Sequence, residues 1–120
     1  MRERICGRAG KETVKMTLPD LKGILKELNL PIAYRCFAPG QVPALPYIVY
    51  YADEDVAFYA DDIVYHEGYA VTIEVYTEHK DIELEKKVKQ LLNDNQLPYE
   101  SYESFLDSEG MYLKAYEIDI

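Results

Sequence analysis

The 120-residue chain has no tryptophan, only two cysteines and two histidines, and no apolar run near the length of a membrane span. Each scarcity excludes something. Two thiols, Cys6 and Cys36, are too few for a disulfide framework, and a reducing cytosol would keep them as thiols. Cys36, between Arg35 and Phe37, is expected to be a small buried apolar residue. A membrane-crossing helix needs roughly 20 apolar residues, which no segment supplies. The N-terminus, Met1-Arg2-Glu3-Arg4-Ile5-Cys6-Gly7-Arg8, has positive charge without a following apolar stretch, so it is not a secretory signal and a cytoplasmic location is expected. His66 and His79 have no Cys, His or Asp at ligand spacing. Ser101, Ser104 and Ser108 sit in no nucleophile elbow, and Gly7 and Gly10 form no phosphate-binding loop. No catalytic, cofactor-binding or metal-binding residue is therefore assigned, and the chain is read as an interaction protein rather than an enzyme.

Positive charge is also scarce, and it is concentrated at one end. Formal net charge is −9. Residues 1–15 hold five Lys/Arg against two acidic residues, a net +3; residues 16–120 hold eight against twenty, a net −12. A domain at −12 lacks the cationic footprint of a nucleic-acid binder. Asp53, Glu54, Asp55, Asp61 and Asp62 lack the ligand order and central glycine of an EF-hand, and solvated turns account for them.

Tyrosine is what the chain has in quantity: twelve residues, most of them in β-like runs between Tyr34 and Tyr116. Tyr47, Tyr50, Tyr51, Phe58, Tyr59, Tyr65 and Tyr69 resemble a base-stacking platform, but such a surface interleaves rings with cations, and Val42 to Thr77 contains no Lys or Arg. Core packing and protein contact fit the rings better, since tyrosine has an apolar body and a wettable tip.

At this length one domain is expected. Residues 1–15 read as a flexible leader. Thr17 caps a first helix with Pro19 in its first turn and Asp20 three residues on; Leu18, Leu21, Ile24, Leu25 and Leu28 recur at helical spacing until Asn29 and Pro31. Ile32–Phe37 is a candidate strand, followed by a stiff loop with Pro39, Pro43 and Pro46. Tyr47–Tyr51 is the next strand, Asp53–Asp55 a turn, Val56–Ala60 a short strand and Asp61-Asp62 a further turn. Ile63–His66 adds a stub before a turn at Glu67-Gly68. In the strand Tyr69–Tyr76, residues Tyr69, Val71, Ile73 and Val75 point one way and Ala70, Thr72, Glu74 and Tyr76 the other. Asp81 caps a second helix with the stripe Leu84, Val88, Leu91 and Leu92. Tyr99–Leu106 and Met111–Ile120 form an antiparallel pair across Asp107–Gly110. The order α-β-β-β(β)-α-β-β predicts an α+β fold: an antiparallel sheet with two helices packed on one face.

Residues 16–120 also resemble a family of small tail-completion proteins (tail terminators) of tailed bacteriophages and prophages, often labelled minor tail components. The resemblance runs through the helix Met16–Leu28, Leu30-Pro31-Ile32-Ala33-Tyr34, Pro46-Tyr47-Ile48-Val49-Tyr50, Phe58-Tyr59-Ala60-Asp61-Asp62 and Val64-Tyr65. It continues through Val71 to Asp81, Leu91-Leu92, Tyr99-Glu100 and Glu109-Gly110-Met111-Tyr112. It implies an α+β domain that assembles as a hexameric ring, caps the tail tube and meets the head–neck complex. Its partners would be sister copies, the tube protein and the neck proteins. The host cytoplasm, and then the virion tail, would be its locations. The resemblance carries over no catalytic residues. A closed ring uses two different patches per subunit. The candidate interface residues are Pro39, Pro43, Pro46, Tyr47, Asp53, Asp55, Tyr59, Asp61 and Asp62. Three readings remain beside it: another neck or head–tail joining component, a cytoplasmic ligand-binding or regulatory module, and an enzyme with an acid pair hidden among the carboxylates.

Overall fold

Thr17 starts the first helix, α1 (Leu18–Leu25). Its hydroxyl oxygen accepts the Asp20 N–H at 3.2 Å and its own N–H donates to the Asp20 carboxylate at 3.1 Å, a reciprocal capping box. The computed structural model describes residues 16–60 and 63–120, with backbone alone at positions 53–60 and 63–68. The expected leader, residues 1–15, and the expected turn at Asp61-Asp62 lie outside the described residues. After α1 a single 3-10 turn, Lys26–Leu28, leads to Asn29, whose left-handed backbone (φ +59°) ends the helical run.

Five strands follow: β1 (Ile32–Tyr34), β2 (Tyr47–Ala60), β3 (Ile63–Thr77), β4 (Glu100–Leu106) and β5 (Met111–Asp119), with α2 (Ile82–Asp94) between β3 and β4. They form one sheet in the order β1-β2-β3-β5-β4. The class is α+β, with two helices and a mostly antiparallel sheet. One pairing departs from the all-antiparallel expectation: β1 runs parallel to β2, with Ile32 beside Ile48 and Tyr34 beside Tyr50. Parallel neighbours need a long connection, and the proline-bearing residues 35–46 provide it. The strand expected over Ile32–Phe37 stops at Tyr34 because Arg35 adopts a left-handed backbone (φ +70°) that turns the chain off the sheet. Cys36, expected to be buried, is therefore exposed in the loop.

The expected turns at Asp53–Asp55 and Glu67-Gly68 are also overturned. Both segments lie within strands of one long hairpin, where Asp55 pairs with Tyr69 and Val56 with Gly68. The ladder absorbs Asp53 as an irregularity between Ala52 and Glu54, so the acidic triplet bends a strand rather than ending it. β5 pairs with β3 over Ala70–Thr77, extended by reciprocal backbone bonds between Tyr69 and Ile120, and β1 pairs with β2 over Ile48–Tyr50. Beyond these flanks, β2 and β3 continue as a two-stranded ribbon to Ala60 and Ile63.

The core lies on one face of the sheet. Tyr50, Ile73 and Tyr116 are aligned across β2, β3 and β5, flanked by Ile48 beside Val75 and Val71 beside Ile118. Leu21 and Leu25 of α1 and Leu84, Val88 and Leu92 of α2 pack on these residues, with Leu97 closing the cluster. The Asp81 carboxylate accepts the Leu84 N–H at 3.0 Å and starts α2 as expected. No described helix is long and apolar enough to cross a membrane.

Candidate functional site

Alternation along the strands sends a second set of side chains to the opposite face, away from the residues that α1 and α2 bury. Across β2 and β3 the facing pairs are Tyr47 with Tyr76, Val49 with Glu74, and Tyr51 with Thr72. Ala115 continues the row from Glu74, and Tyr102 of β4 stands beyond it, about half exposed. Val49, Thr72 and Ala115 are small and buried, so they form a low floor. Tyr47, Tyr51 and Tyr76 are half-buried and stand around it.

Glu74 sits in the middle of this tray. The Tyr51 hydroxyl donates to its Oε2 at 2.8 Å and the Tyr76 hydroxyl donates to its Oε1 at 2.6 Å. Both bonds are charge-assisted, and they fix the carboxylate and the two rings relative to one another. Burial pushes the Tyr76 phenol above its ordinary value, and the hydrogen bond to Glu74 and that carboxylate's charge push it further the same way. Tyr47 lies against Tyr76, with ring centroids 5.2 Å apart and planes 31° from parallel, and Phe37 meets Tyr47 edge-on at 5.3 Å.

Arg35 borders the tray. Its left-handed turn is fixed by its N–H to the Tyr50 carbonyl at 2.8 Å and by a guanidinium bond to the Ala52 carbonyl at 3.0 Å. Its guanidinium carbon is 5.2 Å from the Tyr51 ring centroid and 5.8 Å from that of Tyr34, within cation–π range of both. The Tyr34 hydroxyl accepts the Ala52 N–H at 3.2 Å, which holds β1 to β2 beyond their three-residue ladder.

At the far end of the same face, Glu100 and Glu117 are direct cross-strand neighbours, and Asp119 follows two residues along β5. Like charges opposite one another are unfavourable. With Thr72, Pro98 and Tyr99 they line an open depression of about 530 Å³. A second open depression, about 430 Å³, lies between Leu45-Pro46 and the start of α2 and includes His79. On the helix side, Lys80 pairs with Glu85 at 2.8 Å and with Glu103, tying α2 to β4. Among the described residues no group of three or more His, Cys, Asp or Glu is placed to hold a metal ion.

Of the residues singled out from sequence, Pro39 is exposed in the loop, and Pro43 and Pro46 are half-buried, with a cis Leu45–Pro46 bond. Tyr47 is the one brought into the tray. Asp53, Asp55 and Tyr59 occupy strand positions on the ribbon, with side chains outside the described residues; Asp61 and Asp62 lie outside them altogether. Sequence reasoning did not pick out Tyr51, Glu74, Tyr76 and Arg35 as site residues. The signal for three of them was present: Tyr47 and Tyr51 are four apart on one strand, and Glu74 and Tyr76 lie on the face opposite Ile73 and Val75. Comparison with family models and with characterised proteins gives no match to this chain.

Proposed function

We propose that this protein is a structural tail-completion (tail-terminator) component of a tailed phage or prophage, one that assembles into a ring at the head-proximal end of the tail tube. The observation that carries this reading is the tyrosine-rich face of the sheet, on which neither described helix packs. Half-exposed tyrosines surround a fixed carboxylate there, whereas both helices bury their apolar stripes on the other face. Tyrosine and arginine are enriched where protein surfaces meet. The resemblance over residues 16–120 supplies the identity of the neighbours: sister copies, the tube protein and the neck proteins.

A closed ring requires two dissimilar patches on each subunit. The tyrosine face with the adjoining Pro39–Tyr47 loop is one. The exposed edge strand β4, which carries Phe105 on the opposite face, is the other. Copies at −12 over residues 16–120 repel one another, so self-association strengthens as salt screens that repulsion. A strongly acidic ring would also let DNA pass without adhering. The host cytoplasm during assembly and the virion tail afterwards are the corresponding locations.

Gel filtration with light scattering across a salt series tests the reading, followed by incubation with purified tail tubes and electron microscopy. The expected result is a ring, either free at high salt or formed on tube ends. A protein that stays monomeric at high salt and high concentration, and that also leaves tube ends bare, refutes it.

A further inference from the structure

We infer that copies of this chain join edge to edge: the outer margin of β4 in one copy pairs, main chain to main chain, with the β3 margin of the β2–β3 ribbon in the next. The pairing rests on the reading of this chain as a ring former and names the segments that meet. The ribbon continues the strands of the tyrosine face, so the two ring patches keep their places.

The direction of the backbone bonds identifies the β4 margin. Tyr69 and Ile120 exchange both main-chain bonds at 2.9 Å. An antiparallel ladder repeats that exchange at every second pair. Val71–Ile118 and Ile73–Tyr116 therefore do the same, and Glu117 and Ala115 turn their main chains to Glu100 and Tyr102. Ser101, Glu103 and Phe105 are left with N–H and C=O groups directed off the sheet. All three are exposed, and no described strand lies beyond β4.

β4 runs seven residues without a proline or a register shift, two of the devices by which sheet edges refuse a neighbour. The other edge of the sheet is blunt. β1 lasts three residues, Arg35 turns the chain away, and the Tyr34 carbonyl accepts the Cys36 N–H at 2.8 Å.

The ribbon supplies the matching half. The register is regular from Ala70 to His66, so Glu67 turns its main chain the same way as Tyr69, past the end of β5. A ribbon of two strands gains stability from a third. Charge favours this partner: residues 53–68 hold six acidic residues and no Lys or Arg. On β4, by contrast, Lys80 and Lys114 both flank Glu103. Opposite signs steer the two margins together and set their register. Positions 67 and 101 are also in phase with Ile73 and Tyr116, which face the helices, so joined copies keep their helices on one side.

Ser101→Pro and Glu67→Pro each remove one outward N–H and leave the inner ladders intact. In light scattering, at a salt concentration where the wild type assembles, each variant alone should self-associate about tenfold more weakly or worse. Mixed in equal amounts, the two should form pairs and nothing larger, because the intact β4 of one meets the intact ribbon of the other. Variants that assemble like the wild type overturn the inference and leave the ring reading standing, as does a mixture of folded variants that stays monomeric. A wild type that never assembles refutes both. Carbodiimide cross-linking of assembled wild-type chains, half of them isotope-labelled, needs no substitution. Cross-links between copies should join Lys80 or Lys114 to carboxylates of residues 53–67; cross-links confined to other lysines overturn the inference.

Discussion

The two faces of this sheet are built from the same strands, one residue out of phase, yet they are held by different physics. On the helix side, Ile48, Val71, Ile73 and Val75 lose nearly all contact with water because α1 and α2 lie on them. That face is stabilised by burial, which is large and non-directional. On the other side, the ordering comes from directed bonds: two phenols on one carboxylate, a guanidinium over a ring, a tilted ring pair. Directed bonds contribute little net stability in water, but they fix shape. The first face explains why the domain folds. The second is a face whose side chains are held in fixed positions.

Substitutions on the two faces should therefore differ in magnitude and kind. Ile73→Ala, at the centre of the helix-covered face, should cost about 2–5 kcal/mol in urea unfolding, through lost transfer energy and a cavity. Tyr76→Phe, away from the helices, should cost less by the same measurement, at most about 1.5–3 kcal/mol, because one bond to a charged group is lost and the half-buried Glu74 oxygen can take water instead. If the two costs were equal, the division of labour would fail. Tyr116 sharpens the contrast from the covered side: its hydroxyl is buried with no hydrogen-bond partner among the described residues. Tyr116→Phe should be neutral or stabilising by up to about 1 kcal/mol, since an unpaired buried hydroxyl is removed.

Burial is also the main reason the Tyr116 phenol is pushed above its ordinary 10.0, with the charge of Glu85 adding to it. Such a group contributes stability in full below pH 10.0 and loses it as pH rises beyond that value, because the unfolded phenol ionises first. Alkaline unfolding should accordingly be blunted in Tyr116→Phe. The smallest expected effect lies at the exposed Lys80–Glu103 pair. The Lys80 hydrogen bond holds the Glu103 carboxyl below its ordinary 4.5, so its contribution is present above that pH and disappears as acid protonates it. Glu103→Gln should leave neutral-pH stability almost unchanged and flatten the acid limb slightly, an effect that added salt erases.

What could be read from the residues in advance was local. The Thr17–Asp20 box, the Asp81 cap and the alternation of Tyr69 to Tyr76 depend on neighbours two to four residues apart, and all three stand in the structure. What could not be read depended on pairing between distant segments. Asp53-Glu54-Asp55 has turn composition, but Val56–Ala60 finds its register against the residues after Ile63, and the ladder runs through the acidic segment. Cys36 was misjudged because one left-handed residue, Arg35, cut β1 short. The joining of Tyr51 to Glu74 spans 23 positions. Alternation places both side chains on one face, but only the strand register brings them into contact.

The unflanked stretch of the β2–β3 ribbon carries one more consequence. Main-chain N–H groups that alternate outward along its two margins have no ladder partner among the described strands, and a lone pair of strands is barely stable in water. Those amides should trade hydrogen for deuterium quickly in the isolated chain. If another polypeptide settles along either margin, the same amides should slow together. The ribbon would then serve as a built-in clock for docking, read by mass spectrometry without any label.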